Sequence, residues 1–187
     1  MTLQLGDKAP EFNLLDVMSG VKIDLADVRG AKALLVMFVC NHCPFVIHVQ
    51  DELANLGAEY GPQGVAMVAI CSNDIVNYPA DAPGKMVSFA QEQKWNFPYL
   101  YDEDQSAAKA YFAACTPDFY LFDDTQSLVY RGQLDESRPG NGIPVTGQDL
   151  RAALKAILIG DPVATEQRPS IGCNIKWISG QEPAYFG

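Results

Sequence analysis

Residues 36–46 read VMFVCNHCPFV, and the fold turns on how this stretch is understood. An apolar run meets two cysteines, Cys40 and Cys43, spaced C-x-x-C, with His42 between them and Pro44 directly after. The run starts earlier: residues 33–39, ALLVMFV, are continuously apolar, as expected of a parallel strand covered on both faces. Beyond Pro44, apolar residues recur at Val46, Val49, Leu53 and Leu56, the spacing of one helix face, and Gly61-Pro62 ends the pattern. Residues 65–71, VAMVAIC, form a second buried strand. Strand, helix and strand so close together make a βαβ unit, whose strands run parallel through a right-handed crossover. Cys40 therefore closes a central strand and Cys43 opens a helix, at the carboxyl edge where open α/β sheets carry their sites.

The rest of the chain continues the alternation. A loop rich in Asn, Asp and Pro, SNDIVNYPADAPG, leads to a helix expected from Lys85 to about Lys94. A short helix is expected over Ala107–Ala114. DFYLFDDTQSLVYRG alternates around a turn at residues 123–127 and reads as an antiparallel hairpin. The last helix, Gln148 to Ile159, buries Leu150, Ala153, Leu154, Ile157 and Leu158 and ends at Gly160, with Pro162 beyond. The tail reads as irregular. No repeat or low-complexity tract divides the 187 residues, so one domain over 1–187 is expected.

Charge narrows the function classes. With 23 acidic against 13 basic residues, the surface repels nucleic acid and anionic membrane instead of steering them in. No apolar run approaches the ~20 residues of a membrane span, and residues 1–16 lack the basic and apolar regions of a signal peptide. Five cysteines, odd in number and scattered, fit a reducing compartment, and the cytoplasm is the expected location.

The dithiol has chemical consequences. Free amides and the positive end of the helix dipole stabilise a thiolate at a helix start, and an adjacent imidazolium adds to this. Pro44 suits the first turn because its missing N–H costs nothing there. Thiolate is the species that attacks a disulfide. His42 would favour the reduced form and make the pair more oxidising. The same C-x-x-C can also be half a zinc site, with His42, His48, Cys71, Cys115 and Cys173 as available partners; no second pair stands at ligand spacing.

These residues resemble the thioredoxin-like superfamily in its redoxin branch, of alkyl hydroperoxide reductase and membrane-tethered thioredoxin types. LGDKAPEFNLLD is similar to the redoxin opening, and Cys40-Asn41-His42-Cys43 stands where the family carries its C-x-x-C. AYFAACTPDFYLFDDTQSLVYRG is similar to its short helix, proline loop and hairpin. CNHCPF, CTPDF and PSIGCNIKW together resemble one subgroup of thioredoxin family proteins. The resemblance implies an α/β fold with a central mixed sheet, helices on both faces, an N-terminal extension and a C-terminal tail. It implies that Cys40 is the exposed nucleophile and Cys43 the resolving thiol. It makes Pro117, after Thr116, the cis-proline facing the pair.

Three departures stand out. Val39 precedes the first cysteine where thioredoxins carry Trp. Leu34 replaces their buried acid. The peroxiredoxin pattern Pro-x-x-x-Thr-x-x-Cys fits neither cysteine, since Cys40 and Val36, or Met37, occupy its Thr and Pro places. With no acid at Leu34, Asp118 is the carboxylate that sequence proximity offers to take the Cys43 proton, and Cys115 is a candidate third thiol. Cys71 reads as an inert core residue, His48 as part of a solvated helix face, and Trp95, Phe97 and Tyr99 as core and groove wall. Arg131, Asp135, Glu136 and Arg138 form either a solvated ion-pairing loop or a loop from which an Arg or Asp reaches the dithiol.

The expected function is thiol–disulfide exchange with protein or small-molecule disulfides and dithiols, requiring no organic cofactor or metal. Two rivals are a redoxin-type peroxidase and a metal-binding or copper-handling module using the same cysteines.

Overall fold

The computed structural model describes residues 2–186. Its centre is the predicted pair of strands, β3 (Ala33–Phe38) and β4 (Val65–Cys71), which are parallel in register Ala33↔Val65 to Phe38↔Ile70. They are joined over the top by α1 (Pro44–Tyr60). A third parallel strand, β5 (Tyr99–Tyr101), lies beside β4; its three aromatic and apolar residues are too few to show a period in the sequence. The hairpin β7 (Asp118–Asp123) and β8 (Leu128–Gly132) runs antiparallel on the other side of β3. A second hairpin, β1 (Asn13–Asp16) and β2 (Lys22–Asp24), completes a seven-stranded mixed sheet in the order β2-β1-β5-β4-β3-β7-β8.

Alternation along β3 divides the core in two. Leu35 and Met37 face α1, α2 (Pro83–Glu92) and α4 (Gln148–Ile159), through Val46, Leu53, Met86, Leu150 and Leu154. Leu34, Val36 and Phe38 face the opposite layer, made by α3 (Ser106–Tyr111), Phe12, Leu25, and Ile175 and Trp177 of the tail. Helices thus cover both faces, and the continuous apolar run of β3 has the physical cause the sequence suggests. Burying side chains of this size stabilises by roughly 1.5–3 kcal/mol each.

Element ends shift where local geometry intervenes. Pro83 starts α2 two residues early, in the first-turn position that suits proline. Phe112, at φ 53°, closes α3 in the left-handed region, ahead of the expected end at Ala114. The tail is not wholly irregular. Residues Cys173–Asn174 form β9, antiparallel to β6 (Cys115–Thr116), with Cys115 opposite Asn174 and Thr116 opposite Cys173. Among the described residues no helix is long and apolar enough to cross a membrane.

Candidate active site

Cys43 is the N-cap of α1, its carbonyl accepting from the amides of Val46 and Ile47 at 3.0 and 2.9 Å, and Pro44 fills the first helical position. Cys40 ends the strand segment two residues beyond β3. All five cysteines are thiols. Contrary to the expectation of an exposed first sulfur, Cys40 and Cys43 are 1% and 0% exposed, so exposure does not tell them apart.

Thr116 reaches both. Its hydroxyl lies 3.5 Å from Cys40 Sγ, and its carbonyl accepts from the Cys43 thiol at 3.2 Å. The Thr116–Pro117 peptide bond is cis. The two thiols are displaced in opposite directions. Cys43 is drawn well below the ordinary thiol range, first by the Cys40 hydrogen bond and, against the cost of burial, by donors from Thr116 and from the thiol and amide of Cys173. Cys40 is pushed far up, first by that same bond, then by burial, then by the Asp81 carboxylate.

The two residues between the cysteines are held by the loop after β4. Asn41 donates its amide to Asp81 Oδ1 and its side-chain nitrogen to the Ala80 carbonyl, both at 2.8 Å, and Tyr99 donates to Asn41 Oδ1 at 3.0 Å. His42 sets Nδ1 2.7 Å from Asp81 Oδ2 and stacks on Tyr78, ring centroids 5.7 Å apart at 7°. Asp81 is fully buried and also accepts from Asn73 Nδ2 at 2.8 Å. Cys40, His42 and Asp81 thus bring three potential metal donors within 4.8 Å of one another, although the Asp81 oxygens already accept from Asn41 and Asn73.

The same loop anchors the tail. Asn73 accepts from the Lys176 amide, and Asp74 donates to the Lys176 carbonyl, both at 2.8 Å. Gln105 donates to that carbonyl at 2.9 Å and accepts from Ile178. Ile175 donates to the Ala114 carbonyl at 3.0 Å. Gly172 presses on the other side, where a Cβ would overlap the Thr116 carbonyl. This clamp carries Cys173 to the dithiol.

Residues 4–150 match the family model described as Redoxin. This chain is a redoxin. The redoxin is 57% identical to an uncharacterized conserved protein from Geobacillus kaustophilus, whose crystal structure superposes with a TM-score of 0.92 over 94% of this chain and 93% of that one. A secreted Mycobacterium tuberculosis disulfide oxidoreductase is 20% identical, with a TM-score of 0.60 over 78% of this chain and 95% of that one, and it shares the fold. Peroxiredoxin Bcp of Escherichia coli strain K12 is 28% identical over 109 residues, 58% of this chain and 64% of its own length. The redoxin spans less than two thirds of the curated relatives it matches, 63% and 64% for the first of them.

Not every residue singled out in the sequence reaches the sulfurs of this redoxin. Asp118 opposes Phe38 across the β3–β7 ladder, and shares its face with Tyr120 and not with the dithiol layer. Its carboxylate accepts from Tyr120 at 2.8 Å and lies 3.7 Å from Arg131 Nη2. The expected proton path from Cys43 to Asp118 therefore has no contact to follow. Cys115, next to Thr116 on a two-residue strand, donates to the Pro117 carbonyl at 3.8 Å, and its thiol is pushed up, first by burial and then by Asp118. Arg131 stacks on Tyr120, and Asp135 caps Ser137, Thr146 and Gly147, so neither joins the dithiol. Cys71 is buried and pushed up by desolvation, in keeping with an inert role. His48 is half-buried with Nε2 enclosed, and not on a solvated face as expected. Asp81, Asn73 and Tyr78 escaped the sequence reading. Their only signal was position, a polar loop leaving the carboxyl end of a central strand.

Proposed function

We propose that this redoxin is a thiol–disulfide oxidoreductase in which Cys40 attacks a substrate disulfide and Cys43 resolves the mixed disulfide. The observation that carries the reading is the pair of thiols held at the start of α1, with Thr116 touching both sulfurs. Attack starts from the Cys40 thiolate, whose proton passes to the sulfur that the substrate expels. That thiolate forms a bond to one substrate sulfur and expels the other as a thiolate. The donors remaining around Cys43, from Thr116 and Cys173, then favour its deprotonation. The Cys43 thiolate attacks Cys40, releases the second substrate thiolate, and leaves the Cys40–Cys43 disulfide. Partners are protein or small-molecule disulfides and dithiols, and the proposed setting is the cytoplasm, on the unframed cysteine count.

The test is trapping during reduction of a model disulfide such as insulin. Cys43→Ser accumulates an insulin mixed disulfide through Cys40, and Cys40→Ser loses most of the insulin turnover. Trapping of insulin through Cys43 in the Cys40→Ser variant, with none trapped through Cys40 in Cys43→Ser, would reverse the two roles.

A second reading, reduction of hydroperoxides, is favoured by the similarity to peroxiredoxin Bcp. Peroxide consumption by the reduced protein, assayed with and without an added dithiol, separates the two.

A further inference from the structure

In a dithiol protein of this architecture, the free backbone edge beside the dithiol is the natural place for a partner strand to pair, because main-chain hydrogen bonds supply affinity there without demanding a particular sequence. Here the edge is taken. Strand β6 pairs with β9 of the same chain, and the residue opposite Thr116 is a cysteine. The occupant is held on both flanks. Ile175 and Trp177 are buried in the core below, Lys176 is bonded to Asn73, Asp74 and Gln105, and Ser170 donates to the Gly132 carbonyl at 2.7 Å. Gly172 leaves no room for a side chain against Thr116. Cys173 packs on the layer that contains Cys40 and Cys43, and the residue it faces, Thr116, accepts the Cys43 thiol on its carbonyl.

We infer that Cys173 is a third redox-active thiol, a tethered internal substrate that exchanges with Cys43 to form a Cys43–Cys173 disulfide. The inference rests on the exchange reading above and extends it. In the oxidised protein, the Cys173 thiolate attacks the Cys43 sulfur of the Cys40–Cys43 disulfide. The Cys43–Cys173 bond forms, the Cys40–Cys43 bond breaks, and Cys40 leaves as a thiolate that takes up the proton Cys173 gave up. No net oxidation occurs. The result is a free Cys40 beside a disulfide parked on the tail.

The acidity of Cys173 follows the same logic. Its thiol is pushed up to about 11, first by burial and then by the hydrogen bond and charge of Cys43, with Lys176 opposing. Once Cys43 is neutral in a disulfide, both Cys43 contributions vanish and Lys176 remains, so Cys173 becomes more acidic when its attack is required.

The experiment uses oxidised glutathione on the full-length Cys40→Ser variant, followed by thiol counting and mass spectrometry of a non-reducing digest. Cys43 takes one glutathione and releases the other, and Cys173 then displaces the bound one. The expected result is loss of a pair of thiols, no retained glutathione and a Cys43–Cys173 cross-linked peptide. The Cys40→Ser/Cys173→Ser double variant retains glutathione on Cys43. A glutathione adduct that persists in Cys40→Ser while Cys173 stays open to alkylation overturns the inference. Wild-type protein poised in a glutathione buffer gives an independent arm, which decides if Cys40→Ser does not fold: Cys43–Cys173 is found alongside Cys40–Cys43, and its absence overturns the inference equally. A wild-type protein that forms Cys43–Cys173 but never Cys40–Cys43 would instead defeat the exchange reading and leave Cys173 reactive.

Discussion

His42 turns its Nδ1 onto the buried carboxylate of Asp81, 2.7 Å away, so the histidine between the cysteines is never an isolated charge beside Cys40. Asp81 and a protonated imidazole are expected to act on the dithiol with opposite signs. A protonated imidazole favours a thiolate, whereas Asp81 pushes the Cys40 thiol up, behind the Cys43 hydrogen bond and burial.

Asp81→Asn is therefore expected to lower the Cys40 pKa and make the couple more oxidising, because the reduced form loses a repulsion. His42→Gly is expected to make it more reducing. Each shift is on the order of tens of millivolts, ~30 mV being ~1.4 kcal/mol for a two-electron couple. Equilibration with glutathione measures both. Shifts of the same sign would break the account of a balanced pair.

The Thr116 hydroxyl lies 3.5 Å from Cys40 Sγ, and the Thr116 side chain lowers the pKa of both thiols. Thr116→Val is expected to raise the thiol pKa values and to slow alkylation near pH 6–7, with Thr116→Ser restoring it. The loss of one hydrogen bond to a charged group corresponds to roughly 1.5–3 kcal/mol, or more than tenfold in thiolate population. Thiolate absorbance against pH reads the effect, and a valine variant that titrates like wild type would show that the hydroxyl is idle.

Asp118 is raised above the ordinary carboxylate range, first by burial, with Arg131 and Tyr120 opposing. A native carboxyl raised above its unfolded value binds more protons than the unfolded chain, so stability falls as pH rises from ~4 through the native value, and the penalty persists above it. Asp118→Asn removes that slope. Urea unfolding between about pH 4 and 7 should show wild type losing stability relative to the variant as pH rises, while the pH profile of exchange stays in place. A displaced exchange profile would return Asp118 to the reaction.

Gly172→Ala puts a Cβ into the Thr116 carbonyl. Backbone cannot move aside as a flexible side chain can, so β9 must lift from β6, at a cost of about 1–3 kcal/mol. Unfolding by urea measures that cost. Hydrogen exchange of the β6 and β9 amides should rise together, and protection unchanged from wild type would mean the tail accommodates a side chain.

The sequence alone determined the framework. Continuous apolar runs at residues 33–39 and 65–71, with helical spacing between them, leave little choice but parallel strands around a crossover helix, because local period and burial are set by residues close in the chain. The helix start at Pro44 followed from proline chemistry at the first turn, and with it the edge of the sheet on which Cys40 and Cys43 stand. The short strand β5 and the N-terminal hairpin were not legible, since three or four residues carry no readable period. What only the tertiary structure decided is which distant groups meet the dithiol. Asp118 lies beside Pro117 in sequence, yet strand alternation turns it to the other face. Asp81 and Cys173, far along the chain in either direction from Thr116, are brought in by a loop and a tail whose partners are backbone groups. Backbone hydrogen bonds carry no residue code, so such pairings are invisible in sequence until the chain has closed on itself.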